Sequence, residues 1–318
     1  MKKYIWGVDV GGTTVKVGLF MSDGELVDRL VVVTRKENHG ENILKDIAKA
    51  IEEYLQTHNI DKEEVLGIGL AMPGPVDSVG VIHGAVNLGW GAFNVSQAMQ
   101  EITGLPVVSG NDANAAALGE IWQGAARGSL NMILLTLGTG VGGGIIIDGS
   151  VIAGHKGSAG EIGHILVNAH ETERCTCGNY GCLEQYSSAT GIVRMANKIL
   201  KASDKNSSLR ELASIEAKDV FDAAKQGDEL ALQVVDGFGK YLGKALGIIG
   251  TAIAPDVIVL GGGVSAAGDI IINTVGKYFR EMAFHACKDI PIVLASLGNE
   301  AGIYGAARMV LNKYSIEQ

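Results

Sequence analysis

The sequence is poor in the residues that mark several classes of protein. Only 4 cysteines, 5 prolines and 5% aromatic residues occur among 318 residues. The chain has 26 basic and 35 acidic residues, which gives a net charge of −9. An acidic chain lacks the basic patches that bind phosphate backbones, so a nucleic-acid partner is not expected. No low-complexity segment occurs, which argues against a repetitive chain.

Long hydrophobic runs are also missing. Asp9 and a glycine pair interrupt the first apolar stretch, so this stretch cannot form the core of a signal peptide. The most apolar later stretch, residues 246–254, is far too short to cross a bilayer. We therefore expect a cytoplasmic protein without a membrane partner.

Glycine (45 residues) and hydrophobic residues (47%) are abundant, and their pattern predicts an α/β protein of roughly two domains. Residues 4–33 and 132–153 share one plan of strand, glycine turn, strand, Asp-Gly turn and strand, which indicates an internal duplication. Apolar residues at helical spacing follow at 42–55 and over most of 190–253. Further strands are expected at 65–71, 106–109, 257–260 and 291–295, and further helices from Asn94 and Asn111 onward and at 269–279 and 301–311. Asn94 is expected to be a helix N-cap, with Gln97 as its capping-box partner.

Three glycine clusters, at 11–12, 138–144 and 261–263, each follow an apolar strand. Glycine allows backbone N–H groups to approach an anion closely, so three such loops together predict phosphate groups as ligands. The second cluster formally matches a dinucleotide fingerprint, but a strand and a hairpin follow where that fingerprint needs a helix. A P-loop motif does not occur. Each cluster taken alone could serve only to make a tight turn.

Polar side chains accompany the first glycine cluster. Thr13 and Thr14 add hydroxyl donors beside it, and Asp9 ends the preceding strand. Mg²⁺ binds few carboxylates and keeps several waters, so Asp9 is a candidate to hold it through water. The alternative for Asp9 is a residue that caps the turn.

The segment 161–184 concentrates soft metal ligands. Three thiols and an imidazole can fill all four positions of a tetrahedral zinc ion, which predicts a structural site. A disulfide is the competing interpretation, but disulfides belong to oxidising compartments and the cysteines of a C-x-C pair bond poorly to each other. Glu161 and Glu184 stand at the ends of the segment, and Cys287 lies far from it. The predicted ligands are His164, Cys175, Cys177 and Cys182.

These motifs together resemble the ROK family, which comprises sugar kinases and related repressors. The order and spacing fit from about residue 4 to about residue 310. The segments MPGPVD (72–77) and VNLGW (86–90) are most similar to those of bacterial ATP-dependent glucokinases. The resemblance rests on DVGGTT (9–14), NDAN (111–114), LGTGVGGG (137–144), EIGH (161–164), CTCGNYGCLE (175–184) and LGGGV (260–264).

The resemblance implies an α/β, actin-like (ribonuclease-H-like) ATPase fold with two domains around a cleft. The smaller domain would comprise residues 1–118 and 302–318, and the larger one, with the zinc knuckle, residues 119–301. The implied activity is transfer of the γ-phosphoryl group of ATP to the 6-hydroxyl of a hexose, with glucose as the first candidate. ATP, Mg²⁺ and structural Zn²⁺ are the implied ligands, and a homodimer is the implied assembly.

The resemblance also assigns roles to residues. Asp112 would be the catalytic base, because the helix that starts there favours its ionised form; a plain helix N-cap is the alternative. His164 would bind zinc through one ring nitrogen and a sugar hydroxyl through the other. The sugar would contact Gly74, Asn87, Asn111, Asp112, Glu161, His164 and Glu184. ATP would contact Asp9, Gly11, Gly12, Thr13, Thr14, Gly138, Thr139, Gly140, Gly262 and Gly263.

Other functions within the family can be weighed against this one. A repressor would need a DNA-binding helix-turn-helix ahead of the strand at Tyr4, for which we expect no room. A non-catalytic sugar sensor is disfavoured because Asp9, Asp112 and the glycine loops are intact. Gly110 stands where glucokinases of the family often carry an acidic residue, so the sugar stays open among glucose, N-acetylmannosamine, mannose, fructose and allose.

Overall fold

A computed structural model describes residues 2–314, which form two compact units. The first unit contains residues up to 128, residues 144–160 and residues from 297 onward, and the second contains residues 129–143 and 161–296. The predicted domain limits at 118/119 and 301/302 stay a prediction, because compactness alone does not test which residues move together.

The strands and helices up to residue 128 begin with the first strand meander of the predicted duplication. The strands are β1 (Tyr4–Val10), β2 (Thr14–Met21), β3 (Leu26–Val33), β4 (Val65–Met72), β5 (Val81–Ile82), β6 (Phe93–Asn94) and β7 (Val107–Asn111). The helices are α1 (Glu37–Gly40), α2 (Ile43–His58), α3 (Val95–Thr103) and α4 (Asp112–Gln123). The short α1 is not a regular helix, because Asn38 and His39 within it have left-handed backbone angles.

The remaining elements begin with the second glycine-rich meander and end with the last helix. The strands are β8 (Met132–Leu137), β9 (Val141–Ile147), β10 (Ser150–Val151), β11 (Val257–Gly261) and β12 (Ile292–Leu294). The helices are α5 (Glu184–Ser187), α6 (Ala189–Lys201), α7 (Ala217–Lys225), α8 (Glu229–Ile253), α9 (Asp269–Met282) and α10 (Ala301–Tyr314).

The two five-stranded sheets have the same topology. Their orders are β3-β2-β1-β4-β7 and β10-β9-β8-β11-β12, so each meander is followed by two further strands on the side of its first strand. In the first sheet β1 and β4 are parallel and so are β4 and β7; in the second, β8 and β11 are parallel and so are β11 and β12. The duplication predicted from the sequence is therefore confirmed by the strand order.

The sheet of the first unit is covered on both faces. Apolar side chains of its strands, such as Val8 and Ile68, pack with Ile47 of α2 and Met99 of α3 in one buried cluster. On the other face α10 lies against the strands so closely that a Cβ on Gly7 would stand 2.1 Å from the backbone oxygen of Ile303. Glycine is required there because a helix backbone rests directly on the strand. The C-terminal helix is thus an integral part of the first unit.

Three predicted elements differ from the observed ones. The glycine turn at 138–144 ends earlier, because β9 already begins at Val141 and takes the later glycines into the strand. The helical region 190–253 is divided into α6, α7 and α8, with a short 3₁₀ turn from Ser208 to Glu211 between the first two. The side chain of Asn94 accepts a hydrogen bond from the Gln97 N–H as predicted, but the Gln97 side chain bonds Glu101 instead of completing a capping box.

Candidate active site

The first glycine turn joins β1 to β2 in the first unit. The Gly11 N–H donates to the Thr14 carbonyl at 3.1 Å, which closes the turn. Thr34, just after β3, fixes the turn from the side, because its hydroxyl donates to the Gly11 carbonyl at 2.7 Å and its N–H to the Thr13 carbonyl at 3.0 Å. The predicted group Gly11, Gly12, Thr13 and Thr14 is thus one ordered loop.

Asp9 lies one residue before the end of β1, beside this loop. Burial raises the pKa of its carboxyl group, and the positive charge of Lys16 lowers it, with burial the stronger effect. A mostly buried carboxylate next to this glycine turn is suited to a cation or to water. Its single carboxylate fits the sparse protein coordination that Mg²⁺ accepts.

Asp112 begins α4 directly after β7. Burial raises the pKa of its carboxyl group to about 6; the backbone N–H of Ala113 opposes this effect and the negative charge of Asp9 adds to it. The helix N-cap is Asn111 rather than Asp112, because the Asn111 side-chain oxygen accepts from the N–H groups of Ala113 and Asn114. The Asp112 carboxyl group is therefore not consumed by N-capping, although it accepts a bond from the Ala113 N–H at 2.8 Å.

Asn111 also connects α4 to the predicted sugar-binding loop. Its side-chain N–H group donates to the Gly74 carbonyl at 3.2 Å. Gly74 has a φ of 113°, and a Cβ there would stand 2.3 Å from the Gly84 carbonyl oxygen, so only glycine fits. Asn87 is exposed in the 3₁₀ turn Val86–Leu88, and an added Cβ on Gly12 would stand 3.9 Å from the Asn87 carbonyl oxygen. The first unit therefore brings the glycine turn and Asn87 close together.

The glycine loops of the second unit border a cavity of about 700 Å³. The Ala189 N–H at the start of α6 donates to the Gly138 carbonyl at 2.8 Å, and the Thr190 hydroxyl donates to the Thr139 carbonyl at 2.9 Å. Gly262 makes the turn after β11 with a φ of 84°. Lining residues include Gly138, Thr139, Thr190, Val193, Ala217, Phe221, Gly263, Val264 and Ala267. Peptide groups at one end and apolar side chains along the walls suit a phosphate-bearing molecule with a flat apolar ring.

The four predicted zinc ligands converge in the second unit. One ligand atom from each of His164, Cys175, Cys177 and Cys182 lies within 4.8 Å of the others. The Cys177 and Cys182 Sγ atoms are 3.6 Å apart, and the Cys175 Sγ atom is 3.7 Å from His164 Nδ1. Tetrahedral zinc with Zn–S bonds near 2.3 Å separates its ligand atoms by about 3.8 Å. All four cysteines of the chain are free thiols, so the donor set and the distances fit zinc.

The two glutamates of this segment stand beside the cluster. Glu161 Oε2 is 3.9 Å from His164 Nε2, the ring nitrogen that does not face the thiols. The Glu184 carboxylate accepts from the Val141 N–H and from the Thr176 hydroxyl, each at 3.1 Å. Because a Cβ on Gly140 would stand 2.3 Å from Glu184 Oε2, the glycine loop is shaped around this carboxylate. Glu184 thus links the cysteine cluster to the glycine loop.

Sequence reasoning missed an ion-pair network that holds the cysteine segment. Arg194 of α6 donates to Glu171 and Glu173 at 2.8 Å each, and the Tyr186 hydroxyl donates to Glu171 at 2.5 Å. Burial would raise the pKa of Glu171, but bonds from Tyr186, from the Glu173 N–H and from Arg194 outweigh it and lower the pKa to about 2. Arg194 follows Glu171 and Glu173 by 23 and 21 residues along the chain, so only their opposite charges could have suggested a pairing.

Replacing Arg194 by methionine is expected to destabilise the protein by about 3 kcal/mol, because Glu171 would remain charged with its side chain only 7% exposed. The loss is fully present above pH 4.5 and shrinks as the pH falls toward 2, where Glu171 becomes protonated in the native state. Urea denaturation at several pH values measures it. Arg29→Met is the matched control, because the Arg29–Glu300 pair is exposed and is worth less than about 1 kcal/mol. Equal losses in the two variants would contradict the prediction.

Within residues 2–314, none of the helices combines the length and apolar character that a membrane crossing requires.

Comparison with known proteins places these features in a family context. The ROK family model matches residues 5–313. A glucokinase of Halalkalibacterium halodurans is 44% identical over 309 residues, which cover 96% of this chain and 94% of that protein. The solved ROK hexokinase from Thermus thermophilus aligns with a TM-score of 0.82 and 31% identity over 99% of this chain and 100% of that chain.

A second solved structure is a complex with ligands. It is a ROK family glucokinase from Streptomyces griseus in complex with glucose and AMPPNP, with a TM-score of 0.76 and 32% identity over 96% of this chain and 98% of that chain. These neighbours confirm the predicted α/β fold of the actin-like (ribonuclease-H-like) ATPase class.

Proposed function

Since this chain belongs to the ROK family, we propose that it is an ATP-dependent glucokinase, which transfers the γ-phosphoryl group of ATP to the 6-hydroxyl of glucose. The relatives named above are glucokinases or hexokinases, and each of their alignments covers at least 96% of this chain. The observation that carries the proposal within the molecule is Asp112, a mostly buried carboxylate at the start of α4 that does not cap this helix, because Asn111 does.

Asp112 is the proposed catalytic base. Its pKa of about 6 leaves the carboxylate mostly ionised at neutral pH, yet basic enough to take a proton from an alcohol as that alcohol becomes bonded to phosphorus. In the reaction the sugar oxygen forms the new P–O bond, the bond from phosphorus to the β–γ bridging oxygen breaks, and the hydroxyl proton moves to Asp112. Asp112 would then release that proton to solvent.

The sugar-binding role rests on paired donors and acceptors. Asn111 uses its oxygen for N-capping and one N–H for Gly74, so its second N–H is the group it would offer to a sugar hydroxyl. The Gly74 loop would approach the sugar with its backbone. His164 would present Nε2, because Nδ1 faces the thiols. The proposed sugar contacts are Gly74, Asn87, Asn111, Asp112, Glu161, His164 and Glu184.

The glycine loops would hold the nucleotide. Peptide N–H groups of Gly12 and Thr13, with the Thr14 hydroxyl, would bind phosphate oxygens in the first unit. Gly11 would shape this site, because its own N–H closes the turn on the Thr14 carbonyl. The cavity bordered by Gly138, Thr139 and Gly263 would accept the base and ribose, with Gly140 and Gly262 shaping its loops. When bound, Mg²⁺ would be held through water by Asp9 and would neutralise charge on the phosphates.

Zinc has a structural role in this proposal. His164, Cys175, Cys177 and Cys182 would fill its coordination sphere, so it would fix the position of the His164 ring without contacting the sugar. We also propose the predicted two-domain division, the homodimer and the cytoplasmic location, which proteolysis, light scattering and cell fractionation test.

A hexose panel tests the proposed function directly. Purified protein with ATP and Mg²⁺ is expected to phosphorylate glucose with a kcat/KM at least about tenfold above that for mannose, fructose or N-acetylmannosamine, since a site that pairs each hydroxyl discriminates strongly. A coupled ADP-release assay measures the rates, and NMR of the product identifies the phosphorylated position. Preference for another sugar would support the proposed kinase activity but contradict glucose as its substrate. Sugar binding without ADP release would contradict the proposed enzymatic activity and indicate a sugar sensor.

A further inference from the structure

Lys36 lies beside the first glycine turn but belongs to none of the motifs. Thr34, two residues earlier, is bonded to the Gly11 and Thr13 carbonyls. Gly40, four residues later, accepts a bond from the Trp90 indole N–H at 3.2 Å. Lys36 is therefore carried on a segment that is fastened at one end to the glycine turn and at the other to the loop containing Asn87.

The backbone of this segment adopts a conformation that its surroundings must hold. Asn38, His39 and Gly40 have consecutive φ values of 50°, 58° and 69°. Left-handed geometry at a non-glycine residue costs about 1–2 kcal/mol, so it persists only where contacts enforce it. Gly89 makes such a contact, because its backbone lies so close to His39 that an added Cβ would stand 3.2 Å from the His39 Cα. The segment is thus held against the loop that contains Asn87.

The two adjacent cations of the segment have different surroundings. Arg35 donates to both carboxylate oxygens of Asp46, at 2.7 and 2.5 Å, so its charge is neutralised on α2. Lys36 has no ion-pair partner among residues 2–314 and is exposed. A lysine without an acidic partner in a chain with a net charge of −9 is a free anion-binding group.

Lys36 lines a pocket of about 520 Å³ in the first unit. The other lining residues come from the two loops that the Lys36 segment connects. Gly12 and Thr13 belong to the glycine turn, and Val86, Asn87 and Gly89 belong to the loop that contains Asn87. Lys36 is the charged residue of this lining. The pocket thus brings Lys36 together with the glycine turn on one side and a predicted sugar contact on the other.

We infer that Lys36 binds the transferred phosphoryl group, contacting its oxygens during transfer and again as the 6-phosphate of the product. The inference rests on the proposed function and adds a residue to it. Charge on the phosphoryl oxygens is stabilised best by donors that need little rearrangement, and the backbone that carries Lys36 is fixed by the bonds of Thr34 and Gly40. A sugar without phosphate would gain nothing from this ammonium group.

Three variants test the inference. Lys36→Met is expected to lower kcat about 10- to 100-fold with the glucose KM within about twofold of wild type, because a charge-assisted bond to the transition state is lost. Lys36→Arg should restore most of the rate, since it keeps the charge. Lys45→Met, which removes the same charge from the exposed face of α2, should match wild type.

Calorimetry with glucose 6-phosphate supplies a readout that does not depend on turnover. Lys36→Met is expected to bind this product about tenfold more weakly and glucose with unchanged affinity. An active wild type with Lys36→Met unchanged in both measurements would overturn the inference alone, and so would an equal loss of glucose affinity, which indicates a distorted loop. A wild type that phosphorylates no hexose would overturn the proposed function, and the inference with it.

Discussion

Asp112→Asn is expected to lower kcat for glucose phosphorylation by about 10²- to 10⁴-fold while the affinity for glucose changes little, since asparagine keeps the shape but cannot accept the hydroxyl proton. Rapid-quench or coupled assays measure kcat, and calorimetry measures glucose binding. Asp61→Asn, an exposed change in the same unit, is the matched control and should leave both unchanged. A variant that retains full kcat would show that another group is the base.

The same carboxyl group sets the pH dependence. Because its pKa is about 6, kcat/KM is expected to rise from pH 5 to pH 7 with a midpoint near 6, and the Asp112→Asn residual rate should lack this step.

The stability of the Asp112 variant should change in the opposite direction to its activity. The native pKa lies above the ordinary value of 3.8, so the native state holds the proton more tightly and loses stability as the pH rises from about 4 to about 6. Above that range the penalty reaches about 3 kcal/mol, and asparagine removes it. Asp112→Asn should therefore melt at a higher temperature than wild type at pH 8, with the difference closing toward pH 4. Equal melting temperatures at pH 8 would contradict the raised pKa.

Loss of zinc is expected to abolish most activity. Cys182→Ser should reduce the zinc content from one ion per chain to a small fraction and lower kcat/KM more than about 100-fold, because second-sphere contacts that orient ligands already account for 10- to 100-fold effects. His164 and Glu184 would lose their fixed positions, since both contact Cys175. Mass spectrometry of the metal content and the glucokinase assay are the measurements.

Two controls make the zinc experiment specific. Cys287→Ala replaces a buried cysteine outside the cluster and should keep both zinc and activity. ATP binding should weaken but survive in Cys182→Ser, because none of the four ligands lines the 700 Å³ cavity, although Glu184 shapes the neighbouring Gly140 loop. Wild-type protein that is active without zinc would refute the structural role, and a simultaneous loss of ATP binding would point to unfolding of the whole unit.

Local patterns predicted most elements and the metal cluster. The meanders, their Asp-Gly turns and the parallel strands follow from alternation and turn residues, which act over a few positions. The four zinc ligands were identified because their chemical type and spacing occur within one short segment, and the structure brings the same four atoms together. The division of the helical region around Ser208–Glu211 was missed, because the overall apolar content there gave no signal for the break.

The sequence by itself determined the α/β class, the duplicated strand plan, the glycine turns and the soft ligand set, since each depends on residues that are neighbours along the chain. Only the tertiary structure decided the raised pKa of Asp112, the bond from Asn111 to the Gly74 carbonyl, the Arg194 network and the position of Lys36. These properties depend on burial and on charges far apart in sequence, and the distance between such groups is fixed only when the sheets and helices pack.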